Sequence, residues 1–190
     1  RPLGVTSHVP SFPTVIFDCD GVLVDTERLC HTVLQQMLAE YGKNLSLQET
    51  LDYFMGTSKE NCLSVLAELT GRPVPQDFLS VFQDRTFESF RRSLVAVPGV
   101  ADVISELRAP YCVASNGPHE KMRFTLGHTG LLHYFEGRIF SAEDVARPKP
   151  APDLFLHAAS SMDADPYSCV VIEDSPTGIT AAKAAGMRVL

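Results

Sequence analysis

With 190 residues, 45% of them hydrophobic and 21% charged, the chain is long enough for one well-buried core and a smaller second lobe, and its balance excludes a disordered polypeptide. A formal net charge of -7 argues against nucleic acid or an anionic membrane surface as partner, because neither is attracted by an acidic field. No apolar run reaches the roughly 18 residues that a membrane-spanning helix needs.

Residues 1–13, "RPLGVTSHVPSFP", hold three prolines and no continuous apolar stretch, so they read as a loose arm and not as a secretory signal. A short β-rich run follows at 15–17, and similar runs recur at 111–114, 138–140, 169–172 and 187–190. The last four are separated by segments of helical period, and strands alternating with helices indicate an α/β domain with a parallel sheet.

Residues 25–94 differ, reading as helix after helix with no strand. Leu29, Val33, Leu34, Met37 and Leu38 form the first stripe, with Gly42 as its stop. "SLQE" at 46–49 and "TSKE" at 57–60 both fit the reciprocal cap of a helix start. Leu63, Val65, Leu66 and Leu69 form a second stripe ending at Gly71, and a longer helix from Gln76 carries Phe78, Leu79, Val81, Phe82, Phe87 and Phe90. The expected organisation is a Rossmann-like core of 14–24 and 95–190, interrupted by a helical cap of 25–94. The last run stops with the chain at Leu190, which leaves an edge strand with little cover or marks a fragment.

Ligands of open parallel sheets bind at the carboxyl ends of strands, so the residues there are the candidates. They are Asp18 and Asp20 after the first run, Ser115 and Asn116 after the second, and Glu173 and Asp174 after the fourth, with Lys149 between two prolines in "ARPKPAPDLF". Each alone has a dull explanation as a turn former, a helix cap or a solvated charge. Together they place four carboxylates, a hydroxyl–amide pair and a lysine on one edge. Caps do not need to converge. Hard oxygen donors of this kind suit Mg²⁺ and, through it, a phosphate. The ion would hold Asp18 and Asp174 together, Lys149 would add positive charge, and Ser115 would donate to a phosphate oxygen. One carboxylate can serve as nucleophile while another two residues on passes protons.

"DCDGVLVDTE", "VASNG", "RPKPAPDLF" and "VVIEDSPTG" occur in the order in which the haloacid dehalogenase superfamily carries its motifs, and the chain resembles that superfamily over essentially its whole length after the leader. The helical insertion resembles the branch containing β-phosphoglucomutase and many sugar-phosphate phosphatases. The resemblance implies Asp18 as nucleophile and metal ligand, and Asp20 as general acid/base whose carbonyl also reaches the metal. It further implies Ser115, Asn116 and Lys149 as holders of the phosphoryl group, with Asp174 and Glu173 as metal ligands, Glu173 directly or through water. "GTSKENCL" resembles the cap segment that reaches the substrate, which makes Lys59 a candidate contact; Arg85, Arg91 and Arg92 are weaker guesses.

Val22 after the Asp-Gly is shared with the mutase. Against that, Cys30 stands where the mutase has a histidine, and His31, turned by about 100° on a helix, should not replace it. "SNGPHEKMRFTLGHTGLLHYF" looks most like bacterial sugar-phosphate phosphatases, including a 6-phosphogluconate phosphatase type. Asp20 excludes the dehalogenases and the phosphonate-cleaving members, which lack an acid there. The reading is therefore a Mg²⁺-dependent phosphatase of a small phosphorylated sugar or sugar acid, acting through an aspartyl phosphate. A phosphosugar mutase is the alternative, and a non-catalytic binding module the third. The other histidines show no metal spacing, though His119 lies just past Ser115 and Asn116. Five cysteines without CxxC spacing read as reduced and buried. With nothing requiring more than one copy, the expectation is a cytoplasmic monomer.

Overall fold

A computed structural model describes residues 13–54 and 59–190, with the side chains of Lys59 and Glu60 outside the description. The leader and the expected cap at "TSKE" therefore lie largely or wholly outside the described residues. The elements run β1 Val15–Phe17, α1 Thr26–Glu40, α2 Leu47–Phe54, α3 Lys59–Thr70, α4 Phe78–Ser93, α5 Val100–Glu106, β2 Tyr111–Ser115, α6 His119–His128 and α7 Leu132–Phe135. They continue with β3 Ile139–Ser141, α8 Asp153–Ser161, β4 Val170–Ile172, α9 Pro176–Ala184 and β5 Arg188–Val189. The five expected strands are all present, with ends moved by a residue or so.

The strands form one parallel sheet in the order β3-β2-β1-β4-β5. β1 is central, so its carboxyl end is flanked by those of β2 and β4. Buried on both faces, these strands read as apolar runs rather than alternating ones. Phe17 and Val113 join one cluster with Met122, Leu126 and Phe135, while Ile16, Cys112 and Val171 join another with Leu154, Phe155 and Ala181. Helices thus cover both sides of the sheet. All five cysteines are free, and Cys19, Cys112 and Cys169 are buried.

Helices α1–α4 have a cluster of their own, built from Val33, Leu34, Met37, Leu38, Phe54, Leu66 and Phe78. The reciprocal cap at "SLQE" is formed: the Glu49 amide donates to Ser46 Oγ at 3.2 Å, and the Ser46 amide donates to Glu49 Oε2 at 2.7 Å. Gly42 takes φ +82° after α1, the left-handed conformation that ends a helix cheaply only with glycine. The chain enters and leaves this lobe through adjacent segments. The Asp25 amide donates to Val95 O, and the Val97 amide donates to Leu23 O, beside an antiparallel bridge of Val24 with Ala96. Among the described residues, no helix is long and apolar enough to cross a membrane.

Candidate active site

β1 ends at Phe17, and the Asp18 amide still donates to Ile172 O of β4 at 2.9 Å. That bond fixes Asp18 at the sheet's edge, next to the loop that carries Glu173 and Asp174. The chain then turns through Gly21, whose φ of +81° suits glycine. A Cβ there would lie 2.2 Å from Asp174 Oδ2, so the glycine also lets the two loops approach.

Lys149 reaches across from the β3–α8 connection. Its Nζ donates to Asp18 Oδ1 at 2.7 Å and to Glu173 Oε1 at 2.8 Å, and lies 4.5 Å from the centre of the Phe155 ring. The side chain is only 3% exposed. Asn116 secures this lysine by its backbone: its amide nitrogen donates to Lys149 O and its amide oxygen accepts from the Lys149 N–H, both at 3.0 Å. Glu173 is buried and accepts further bonds from the Ser175 N–H and hydroxyl through Oε2. Ser175, not Asp174, caps α9, accepting from the Gly178 N–H at 3.0 Å. Asp174 stays exposed at the mouth.

Burial is the main reason the Asp18 carboxyl is pushed up to about 7; the Lys149 ammonium pulls it back without cancelling that effect, and the carboxylates of Glu173 and Asp20 reinforce it. Burial and Glu173 likewise raise Asp174. Asp18, Glu173 and Asp174 each offer a carboxylate oxygen, and the three oxygens lie within 4.8 Å of one another. Oxygen donors so spaced fit Mg²⁺, which binds such ligands at about 2.0–2.1 Å and retains several waters.

Asp20 stands slightly apart from this group. Its Oδ1 accepts from the Thr26 hydroxyl at 2.7 Å, and its Oδ2 from Lys121 Nζ at 2.8 Å. Ser115 is buried at the end of β2, its Oγ accepting from the Gly117 N–H at 3.2 Å. The candidates from four separate loops are therefore together. Among the described residues, Thr26 and Lys121 join the group as hydrogen-bond partners of Asp20 that sequence reasoning did not mark. Thr26 opens the helix six residues after Asp20, and Lys121 lies early in the helix that follows β2; only the strand-end rule, extended into those helices, could have found them.

Other expectations fall elsewhere. Arg85 pairs with Glu40, while Arg91 and Arg92 pair with Glu88, all on exposed parts of the lobe. Lys59 is the first residue of α3, and its side chain is outside the description. His119 does not reach the carboxylates named above: its Nε2 lies 2.9 Å from both Asp144 carboxylate oxygens, tying the start of α6 to the turn after β3.

The model of the haloacid dehalogenase-like hydrolases matches residues 12–186. The chain belongs to this family. Among its relatives, this hydrolase is 34% identical over 176 residues to the 6-phosphogluconate phosphatase of Escherichia coli (strain K12), covering 92% of the chain and 80% of that protein. A solved haloacid dehalogenase-like protein from Agrobacterium tumefaciens superposes with a TM-score of 0.87 at 36% identity, covering 94% of this chain and 82% of that one. The structure of a protein from Thermotoga maritima described as a putative β-phosphoglucomutase gives 0.79 at 28%, covering 94% and 84%.

Proposed function

We propose that this hydrolase is a Mg²⁺-dependent phosphatase of a small phosphorylated sugar or sugar acid, with Asp18 as nucleophile. The observation that carries the reading is the buried Lys149 ammonium, within 2.7 Å of Asp18 and 2.8 Å of Glu173, beside a third carboxylate from Asp174. A nucleophilic carboxylate must be ionised, yet Asp18 without a metal sits near 7. Bound to Asp18, Asp174 and Glu173, the last directly or through water, and to the Asp20 carbonyl, Mg²⁺ would supply the positive charge that keeps Asp18 ionised and neutralises the phosphate.

Asp18 attacks phosphorus as the ester P–O bond breaks, and Asp20 gives its proton to the departing alcohol oxygen. Asp20 then takes a proton from water as that water attacks the aspartyl phosphate, which releases phosphate and restores Asp18. Ser115 and the backbone around Asn116 orient the phosphoryl oxygens, with Lys149 fixing them against the nucleophile. The lobe of α1–α4 serves as a cap that encloses the alcohol portion, with Lys59 as a contact from its α3. The relative named for 6-phosphogluconate supports a sugar-acid substrate class.

The test is phosphate release from sugar and sugar-acid phosphates, with and without Mg²⁺, beside Asp18→Asn. Metal-dependent turnover lost in the variant is expected. Isomerised sugar phosphate in the presence of a bisphosphate primer, with negligible phosphate release, would establish the mutase alternative instead.

A further inference from the structure

The site contains a second cation whose donors are not used up. Lys149 is enclosed and bonded to two carboxylates, whereas Lys121, 27% exposed, has Asp20 Oδ2 as the hydrogen-bond partner described for its ammonium. An ammonium carries three donors. The Asp20 carboxylate does not depend on Lys121 alone, because Thr26 holds its other oxygen. Glu27 and Cys30 of α1 both feel the Lys121 charge, which places the ammonium at the boundary of lobe and sheet.

Gly117 locates the space in front of it. A Cβ at that glycine would lie 3.6 Å from Ser115 Oγ, 3.7 Å from Lys121 Cδ and 3.8 Å from Asp20 Oδ2. A phosphate-facing hydroxyl, the acid that serves the leaving oxygen and the lysine stem therefore border one small volume. An ester oxygen hydrogen-bonded to Asp20 would be within about 5.5 Å of the ammonium, counting two hydrogen bonds of ordinary length through one carboxylate oxygen. A hydroxyl on the next carbon is then within its reach.

We propose that Lys121 is a specificity-determining substrate contact that donates to the oxygen vicinal to the phosphoester, so that the enzyme favours phosphate esters of polyols over those of simple alcohols. The proposal rests on the phosphatase reading and on the assignment of Asp20 to the leaving oxygen. It concerns recognition of the alcohol portion, which Lys149, buried between Asp18 and Glu173 at the phosphoryl end, does not supply.

The decisive pair of substrates is glycerol 1-phosphate and the monophosphate of propane-1,3-diol, which differ only in the vicinal hydroxyl. Wild type should favour the first in kcat/KM by about 10- to 100-fold, the range of a hydrogen bond to a charged group. Lys121→Met should lower kcat for both esters through Asp20. Beyond that shared loss it should raise KM for glycerol 1-phosphate alone, so that the ratio between the two esters falls toward one; Lys121→Arg should keep part of the preference. Equal losses on both esters would overturn the proposal, since Lys121 would then act only through Asp20, and so would a wild type without preference. A wild type that hydrolyses nothing, including p-nitrophenyl phosphate, would sink the phosphatase reading separately. In that case calorimetric binding of the same two esters to Asp18→Asn, with and without Lys121→Met, still decides: a preference unchanged by the second substitution removes Lys121 from recognition.

Discussion

Removing the Lys149 ammonium would leave Asp18 and Glu173, both buried, facing each other without the cation that now bonds them. Breaking a buried ion pair from one side typically costs about 3–5 kcal/mol, because the remaining charge is neither solvated nor paired. Lys149→Met should therefore lower the metal-free melting temperature clearly, with part of the loss restored by Mg²⁺, and reduce kcat by roughly 100-fold or more. Calorimetry beside a phosphate-release assay checks both. Asp18 gives the matching pH prediction. Its carboxyl rises from 3.8 to about 7 on folding, so the native state binds the extra proton between those values. This contribution to stability is complete below about 3.8 and is lost as pH rises through about 7. Metal-free Asp18→Asn should show a flatter fall in stability from pH 4 to 8 than wild type; parallel curves from chemical denaturation would contradict it. These residues were legible because "DCD", "SN" and "ED" each sit next to a recognisable strand. Lys121 was not, because it lies on a helix 101 positions from its carboxylate and looks locally like a solvated charge.

At the level of elements, the loop between β4 and α9 packs against its own helix more tightly than composition suggests. A Cβ on Gly178 would fall 1.7 Å from Glu173 Oε1, within the first turn of α9. Glu173 cannot easily give way, since its carboxylate is bonded by Lys149 and Ser175. Gly178→Ala should thus displace Glu173 or the helix start, costing about 1–3 kcal/mol and lowering kcat at least tenfold. Gly42→Ala supplies the contrast: nothing lies near its would-be Cβ, but φ is +82°, so about 1 kcal/mol should be lost with kcat unchanged. If both variants lost only stability, the loop would not be positioning Glu173. The type and order of the elements were readable from periodicity, and Ser46 with Glu49 formed the cap their spacing implies. Strand ends shifted because partners in the sheet, not the strand's own residues, decide where pairing stops. Asn116 shows the same limit. Its tie to the Lys149 backbone spans 33 positions and leaves no local pattern, so the loop clamp that the structure adds could not be read beside the expected phosphate contact.

Across the whole molecule, the two ends of the helical lobe are not equally independent. Far from the crossing segments, Val33, Met37, Leu66 and Phe78 pack among the lobe's own residues. Near them, Leu29 of α1, Phe90 of α4 and Leu94 enter the cluster that also contains Phe17, Met122 and Phe135 around the sheet. In the proposed role of cap, a lobe built this way would pivot at its apolar root while its outer part kept its own packing, with the paired segments at Val24 and Ala96 restricting the direction. The shared root should also couple melting of lobe and sheet. Wild type should unfold in one calorimetric transition, with calorimetric and van't Hoff enthalpies in agreement. Phe90 is fully buried at that root, so Phe90→Ala should cost about 3–5 kcal/mol and broaden or split the transition as the lobe loses its anchor. Phe78→Ala removes a similar ring from the lobe's own cluster, and should destabilise the lobe while leaving the catalytic edge of the sheet formed. Fluorescence or hydrogen exchange reporting separately on the two regions distinguishes these outcomes. If Phe90→Ala lowered the melting temperature yet kept a single sharp transition, coupling would reside in the paired crossing segments, and the apolar root would be packing without a mechanical role.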